Sequence, residues 1–289
     1  MNECVEYSNF NSDAKESPVF ATEDVIRRAC KKHNGYSTPD LNEKLYLNHL
    51  GLSGLSSAFS LYVNCTALYL NHNALHDLTD LGCLINLKSL YLSFNALDSS
   101  SSWPTFAALE HLDVSNNYLK RLDDISHAAP MLRTLLVSYN RIDSLGSALE
   151  SLTGLTSLDL SHNHLESDPL VLLDALTRLK ETLTTCVLSG NGITRDLQNY
   201  RKRLIHALPA LRFLDVLPVA AEERERAEAF CCGGTAAEQA TRAAIQMRER
   251  TEKARRDAYF EEVRRAARGA SGSTDTSKHI TPLAAFLGD

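Results

Sequence analysis

Between Leu41 and Leu217 the chain repeats one arrangement of apolar and polar positions. Short runs of period two recur: Leu45-Tyr46-Leu47, Leu68-Tyr69-Leu70, Leu90-Tyr91-Leu92, Leu112-Asp113-Val114, Leu135-Leu136-Val137, Leu158-Asp159-Leu160 and Cys186-Val187-Leu188. Each predicts a short strand whose flanking residues point inward and whose central residue points outward. Three residues past six of these runs stands an asparagine: Asn73, Asn95, Asn117, Asn140, Asn163 and Asn191, at steps of 22, 22, 23, 23 and 28. Leu50 fills that place after the first run. An aliphatic residue (Leu52, Leu75, Leu97, Leu119, Ile142, Leu165, Ile193) follows two residues later.

Leu87-x-x-Leu90-x-Leu92-x-x-Asn95-x-Leu97 fits the leucine-rich repeat template throughout, as does the copy from Leu109 to Leu119. The expected fold is an α/β solenoid of about seven short repeats, with a parallel β-sheet on its concave face. A step of 22–23 residues leaves room for a strand, a tight turn and a brief 3₁₀ or single-turn convex segment. The longer last step, with Pro169 near the start of an apolar periodic run, predicts an α-helix in residues 168–181. Each repeat-end asparagine turns inward, where its amide can bond backbone groups of adjacent coils in a structural ladder.

A stacked core needs closed ends. Thr22 followed by Glu23-Asp24, with Lys31-Lys32 at the far end, reads as a capped helix with an apolar stripe of Val25, Ile26, Ala29 and Cys30. At the other end, Tyr200 through Ala207 reads as a helix, and Leu208, Pro209, Leu211, Leu214 and Asp215 as a last leucine-rich strand. The expected organisation is a disordered segment 1–20, a capping helix 21–40, repeats 41–195, a terminal cap 196–219, a charged helical extension 220–268 and a disordered tail 269–289. Leucine disappears from the extension, Gly233-Gly234 divides it into two helical pieces, and it lacks sustained heptads. In the tail, Ile280, Leu283, Phe286 and Leu287 form a small apolar patch.

Composition sharpens this picture. Of 46 leucines, 44 lie between Leu41 and Leu217, so the core is confined to that stretch. Net charge is −6, all of it on residues 1–219, which argues against a nucleic-acid partner. No apolar run is long enough to span a membrane, and the N-terminus has no secretory pattern. Seven cysteines without regular close spacing point to a reducing, cytoplasmic setting; Cys65 and Cys186 stand where the repeat expects leucine.

The central strand positions read Tyr46, Tyr69, Tyr91, Asp113, Leu136, Asp159 and Val187. Two residues on come Asn48, Asn71, Ser93, Ser115, Ser138, Ser161 and Ser189, then His49, His72, Phe94, Asn116, Tyr139, His162 and Gly190. The expected protein-binding surface comprises Tyr46, Tyr69, Tyr91, Phe94, Asp113, Tyr139 and Asp159, because exposed aromatic residues bury much area at low entropic cost. The alternative is that the tyrosines only shield the strands. His49 and His72 are expected near 5 Å apart, one coil spacing. With no carboxylate or cysteine beside them they do not make a zinc site. No phosphate-binding loop, zinc-protease motif or nucleophile elbow is present, so neither a catalytic site nor a cofactor is expected.

The short repeats and the terminal cap are similar to the leucine-rich class that includes the regulatory subunit of protein phosphatase 1. Two segments narrow the resemblance. Val25 through His33, with Tyr36, Thr38-Pro39, Leu41-Asn42 and Leu45-Tyr46-Leu47, resembles the N-terminal cap of the dynein axonemal assembly factor 1 family. Asn199-Tyr200-Arg201, Phe213-Leu214-Asp215, Pro218-Val219, Glu222, Arg224, Ala227 through Phe230, Gly233-Gly234 and Ala237-Glu238 resemble that family beyond the cap. The resemblance spans about residues 24–250. It implies a cytoplasmic factor for pre-assembly of ciliary dynein arms, with dynein subunits or co-chaperones as partners; a non-enzymatic, monomeric scaffold is expected. A regulatory subunit binding a phosphatase, or a structural axonemal or microtubule-associated protein, are the alternatives.

Overall fold

A computed structural model describes residues 18–145, 147–165 and 168–270. The disorder expected for residues 1–17 and 271–289, and the apolar patch from Ile280 to Leu287, lie outside the described residues. The chain forms two compact units. One runs to Tyr200 and includes Ala207–Pro218; the other contains Arg201–His206 and the chain from Val219 onward. The division expected near residue 219 therefore also passes through the terminal cap, whose helix is shared between the units.

The strands, in chain order, are β1 (Val19–Phe20), β2 (Lys44–Tyr46), β3 (Leu52–Gly54), β4 (Ala67–Tyr69), β5 (Ser89–Tyr91), β6 (His111–Asp113), β7 (Thr134–Leu136), β8 (Ser157–Asp159), β9 (Thr185–Val187), β10 (Phe213–Leu214) and β11 (Leu217–Pro218). Nine of them form one sheet in the order β11-β10-β9-β8-β7-β6-β5-β4-β2. All its pairings are parallel except β10 with β11. Register is strict. Leu45, Leu68, Leu90, Leu112, Leu135, Leu158, Cys186 and Leu214 are successive partners, and none is more than 1% exposed. No coil can bury its apolar face alone; stacking joins eight partial cores into one. Cys65 and Cys186 pack here as small hydrophobes, and burial pushes the Cys65 thiol up to about 12.

Behind the sheet the connections shorten to 3₁₀ turns (Ser57–Leu61, Thr79–Cys83) or brief helices, α2 (Asp123–Ala128) and α3 (Ala148–Ser151). They follow α1 (Glu23–Lys32) of the N-terminal cap. The long repeat carries α4 (Pro169–Thr177), where Pro occupies the first turn and the Asp168 side chain accepts from the Leu170 N–H at 2.9 Å. α5 (Ile193–Asp196) and α6 (Tyr200–Ala207) follow.

Two expectations at the N-terminal end are corrected. The segment 1–20 was expected to be disordered as a whole, but Val19 and Phe20 form a strand parallel to β3. The Ala21 N–H donates to the Gly54 carbonyl, and the Ser56 hydroxyl to the Ala21 carbonyl at 2.7 Å. The Phe20 ring covers Gly54 so closely that a Cβ there would lie 2.6 Å from it. Thr22 does occupy the N-cap position of α1, but its side chain accepts no capping bond.

In the second unit, α7 (Ala221–Ala270) is two helices joined at Gly234, whose φ of 71° and ψ of −161° no helix permits. Ala227 and Ile245 are buried. Arg201 holds Glu223 at 2.6 Å, Lys202 holds Glu238 at 2.6 Å, and Arg248 holds Glu225 at 3.0 Å. The Arg201 guanidinium lowers the Glu223 carboxyl below the ordinary range.

Candidate partner-binding face

The asparagine ladder sets the geometry of the face. Asn95 Oδ1 accepts from the Leu75 N–H at 3.0 Å, while its Nδ2 donates to the carbonyls of Leu70 and Leu92. Asn117, Asn140, Asn163 and Asn191 repeat this pattern and are buried. Half-buried Asn73 accepts from both Leu50 and Leu52, so the coil that lacks its own asparagine is held by the next one. At the far end Asp215 accepts from Leu188 and Ser189, a role that needs no donor.

Just before the ladder position the backbone turns left-handed. His49, His72, Phe94, Asn116, Tyr139 and His162 have φ between 53° and 58°, and Gly190 has φ 80°. A non-glycine residue there costs about 1–2 kcal/mol. The amides of the six non-glycine residues are each satisfied from the neighbouring coil, as when Phe94 N–H meets the Ser115 carbonyl at 3.0 Å. The strain also turns the side chains outward: Phe94 is 48% and Tyr139 52% exposed.

Two aromatic columns result. Tyr46 stacks on Tyr69 (ring centroids 4.7 Å, planes 14° apart) and Tyr69 on Tyr91 (4.5 Å, 4°). His49 stacks on His72 at 4.2 Å, His72 on Phe94 at 4.4 Å, and Tyr139 on His162 at 4.3 Å. The spacing is that of parallel strands, so register alone brings rings at equivalent repeat positions together. The stacking covers both π-faces of Tyr69, and the three tyrosines are half-buried. His33 leans on Tyr46 at 5.1 Å and His111 on Tyr91 at 4.9 Å, extending the first column at both ends. Burial and the Tyr69 neighbour raise the Tyr91 pKa, keeping its hydroxyl neutral. Burial lowers that of His111, with Asp113 opposing.

The remaining expected contact residues behave differently. Asp113 and Asp159 are the last residues of β6 and β8, half-buried, and each turns one carboxylate oxygen to its own backbone just past the strand, where it accepts from the N–H of Ser115 and of Ser161. In the column from Asn48 to Ser189, Ser115, Ser138 and Ser161 are buried and the other four residues half-buried. In the cap, Leu208, Leu211 and Leu214 are buried, Pro209 is exposed, and Tyr200 is half-buried.

The sequence reading missed the basic end of the face. Val25, Arg28, Ala29 and Lys32 sit at i, i+3, i+4 and i+7 of α1, one helical face. Together with His33 they border a hollow of about 300 Å³ beside Tyr46. That spacing was present in the sequence, but the bases were read only as partners of the helix dipole. Among the described residues no group of His, Cys, Asp and Glu could hold a metal ion, and no helix is long and apolar enough to cross a membrane.

In-register short strands, an asparagine ladder and closed ends define a leucine-rich-repeat protein, and a family model described as "Leucine-rich repeat" matches residues 104–244. The resemblance to the dynein axonemal assembly factor 1 family extends over most of the chain. It is 35% identical over 248 residues to the leucine-rich repeat-containing protein ODA7 of Chlamydomonas reinhardtii, covering 85% of this chain and 56% of that protein. It is 32% identical over 209 residues to the dynein axonemal assembly factor 1 homolog of Drosophila melanogaster, covering 71% of this chain and 14% of that one. The chain thus spans about half of the first relative and a small part of the second. The human U2 small nuclear ribonucleoprotein A' is 35% identical over 132 residues, 43% of this chain and 47% of that protein.

Proposed function

We propose that this protein is a non-enzymatic scaffold that acts in the cytoplasm in the pre-assembly of axonemal dynein arms. The observation that carries this reading is similarity along 71% of the chain to a protein named as a dynein axonemal assembly factor. The similarity runs well beyond the 43% shared with the ribonucleoprotein, so it is more than a common repeat. The face bearing Tyr46, Tyr69, Tyr91, Phe94, Asp113, Tyr139 and Asp159 docks a dynein subunit or co-chaperone. It is wide, open and lined by rigid rings, which suits protein surfaces better than small molecules.

Disruption of the gene in a flagellated cell is the test. Loss of outer or inner arms with impaired motility is expected, and normal arms with normal motility would sink the proposal. Fractionation separates the structural alternative. An assembly factor leaves with the cytoplasm on detergent extraction, whereas an axonemal component stays with the axoneme.

A further inference from the structure

The hollow beside Tyr46 carries an inference about what the face recognises, and it rests on the reading of that face as the docking surface. Its walls are apolar, from Val19, Val25 and Leu50, and its rim carries Arg28, Lys32 and His33. Among the described residues no acidic one lines it. On the same helix Arg27 is ion-paired with Glu23 at 2.7 Å, whereas Arg28 and Lys32 make no ion pair among the described residues; Arg28 donates only to the Asp24 carbonyl. The helix dipole accounts for bases near the end of α1. It does not account for their meeting over an apolar hollow that opens onto the tyrosine column.

The charge changes sign along the face. Lys44 stands on β2 beside this basic end, while Asp113 and Asp159 stand on β6 and β8. The edges of stacked rings carry the positive part of the aromatic quadrupole, which also favours a carboxylate.

The geometry points to an acidic peptide segment of the partner protein as the occupant. One apolar side chain fills the hollow between Val19, Val25 and Leu50. An adjacent Asp or Glu sits on Arg28 and Lys32. The following residues run along the edges of Tyr46, Tyr69 and Tyr91. A volume of about 300 Å³ fits a large side chain and its neighbour but not a folded element. Nucleic acid fits worse: the covered faces of the tyrosines offer bases no stacking platform, and the two aspartates further along repel phosphate.

The test selects binders of the full chain from a random peptide display library, then measures affinity for the synthesised winners. The expected winners carry Asp or Glu next to Leu, Ile, Phe or Tyr. They should lose at least tenfold in affinity with Arg28→Glu/Lys32→Glu, less with Arg28→Gln/Lys32→Gln, and weaken as salt rises. Both positions are exposed, so melting temperatures should stay near that of the unaltered chain, and the Gln pair remains a readout if the Glu pair fails to fold. Winners that are basic or uncharged, no winners, or winners indifferent to both pairs would overturn the proposal. So would tight binding of single-stranded oligouridylate that either pair abolishes. Phe94→Ser/Tyr139→Ser separates this from the wider reading. If it abolishes capture of dynein subunits while the Arg28/Lys32 variants do not, the face stands and the acidic anchor falls. If no variant affects capture, both fall.

Discussion

Asn117 holds four backbone groups at once: the Leu97 N–H at 3.1 Å, the carbonyls of Leu92 and Val114, each at 3.0 Å, and that of Ser115 at 3.2 Å. Water has little access to them, because Leu92, Leu97 and Val114 are fully buried and Asn117 is only 4% exposed. Asn117→Ala is expected to cost about 1–3 kcal/mol, read as a lower urea midpoint; an unchanged midpoint would remove the ladder as a source of stability. His111 makes a prediction of a different kind. Its Nε2 is buried without a hydrogen-bond partner among the described residues, and burial holds its pKa below 6.5. The unfolded chain therefore takes up the proton first as pH falls. The contribution of neutral His111 is whole above 6.5 and drains away as pH drops through the lower folded value. His111→Gln should flatten that part of the stability profile, measured as melting temperature from pH 7 to 5.

Between neighbouring coils the same economy of space is visible in Gly190. Its φ of 80° suits glycine, and a Cβ there would meet the His162 ring at 2.5 Å. Gly190→Ala is expected to destabilise by more than about 1 kcal/mol. Combining it with His162→Ala should recover the steric part but not the backbone part, so the double-mutant cycle should show a coupling above about 0.5 kcal/mol. The hairpin joining β10 to β11 is strained in another way. Asp215 and Val216 both have positive φ, 48° and 70°, the conformation of a two-residue primed turn that favours Asn-Gly. Val216 is 78% exposed, so Val216→Gly gives up no packing and should raise stability by up to about 1 kcal/mol in denaturant titrations.

These elements also show what the sequence made legible. Strand positions, the inward column and the ladder followed from period and residue type, because register in a stack leaves side chains no freedom of address. The anchoring of Val19 and Phe20 did not, because it depends on Gly54 and Ser56 more than thirty residues away. The turned-back carboxylates of Asp113 and Asp159 were hidden for the opposite reason. Their partners are two residues away, and nothing in an outward-facing aspartate distinguishes a side chain that meets solvent from one that bends to its own backbone.

In the whole repeat unit, stability is a sum of contacts between nearest neighbours. Damage to a middle coil such as Leu135→Ala therefore removes two interfaces at once, and should cost more, within about 2–5 kcal/mol, than the same change at Leu45 beside the cap. Parallel unfolding curves for the two variants, shifted equally, would contradict this.

The reversal of strand direction at β10 and β11 has a consequence for how partners are acquired. At one end of the sheet the last strand runs antiparallel and contains Pro218, which has no N–H to offer; at the other, α1 lies against β2. Neither border invites another chain to extend the sheet by backbone pairing, the route by which exposed edges capture almost any extended peptide. A partner that docks on this sheet is then chosen by side chains across its face. Discrimination can then be tuned one residue at a time without altering the stack that displays it.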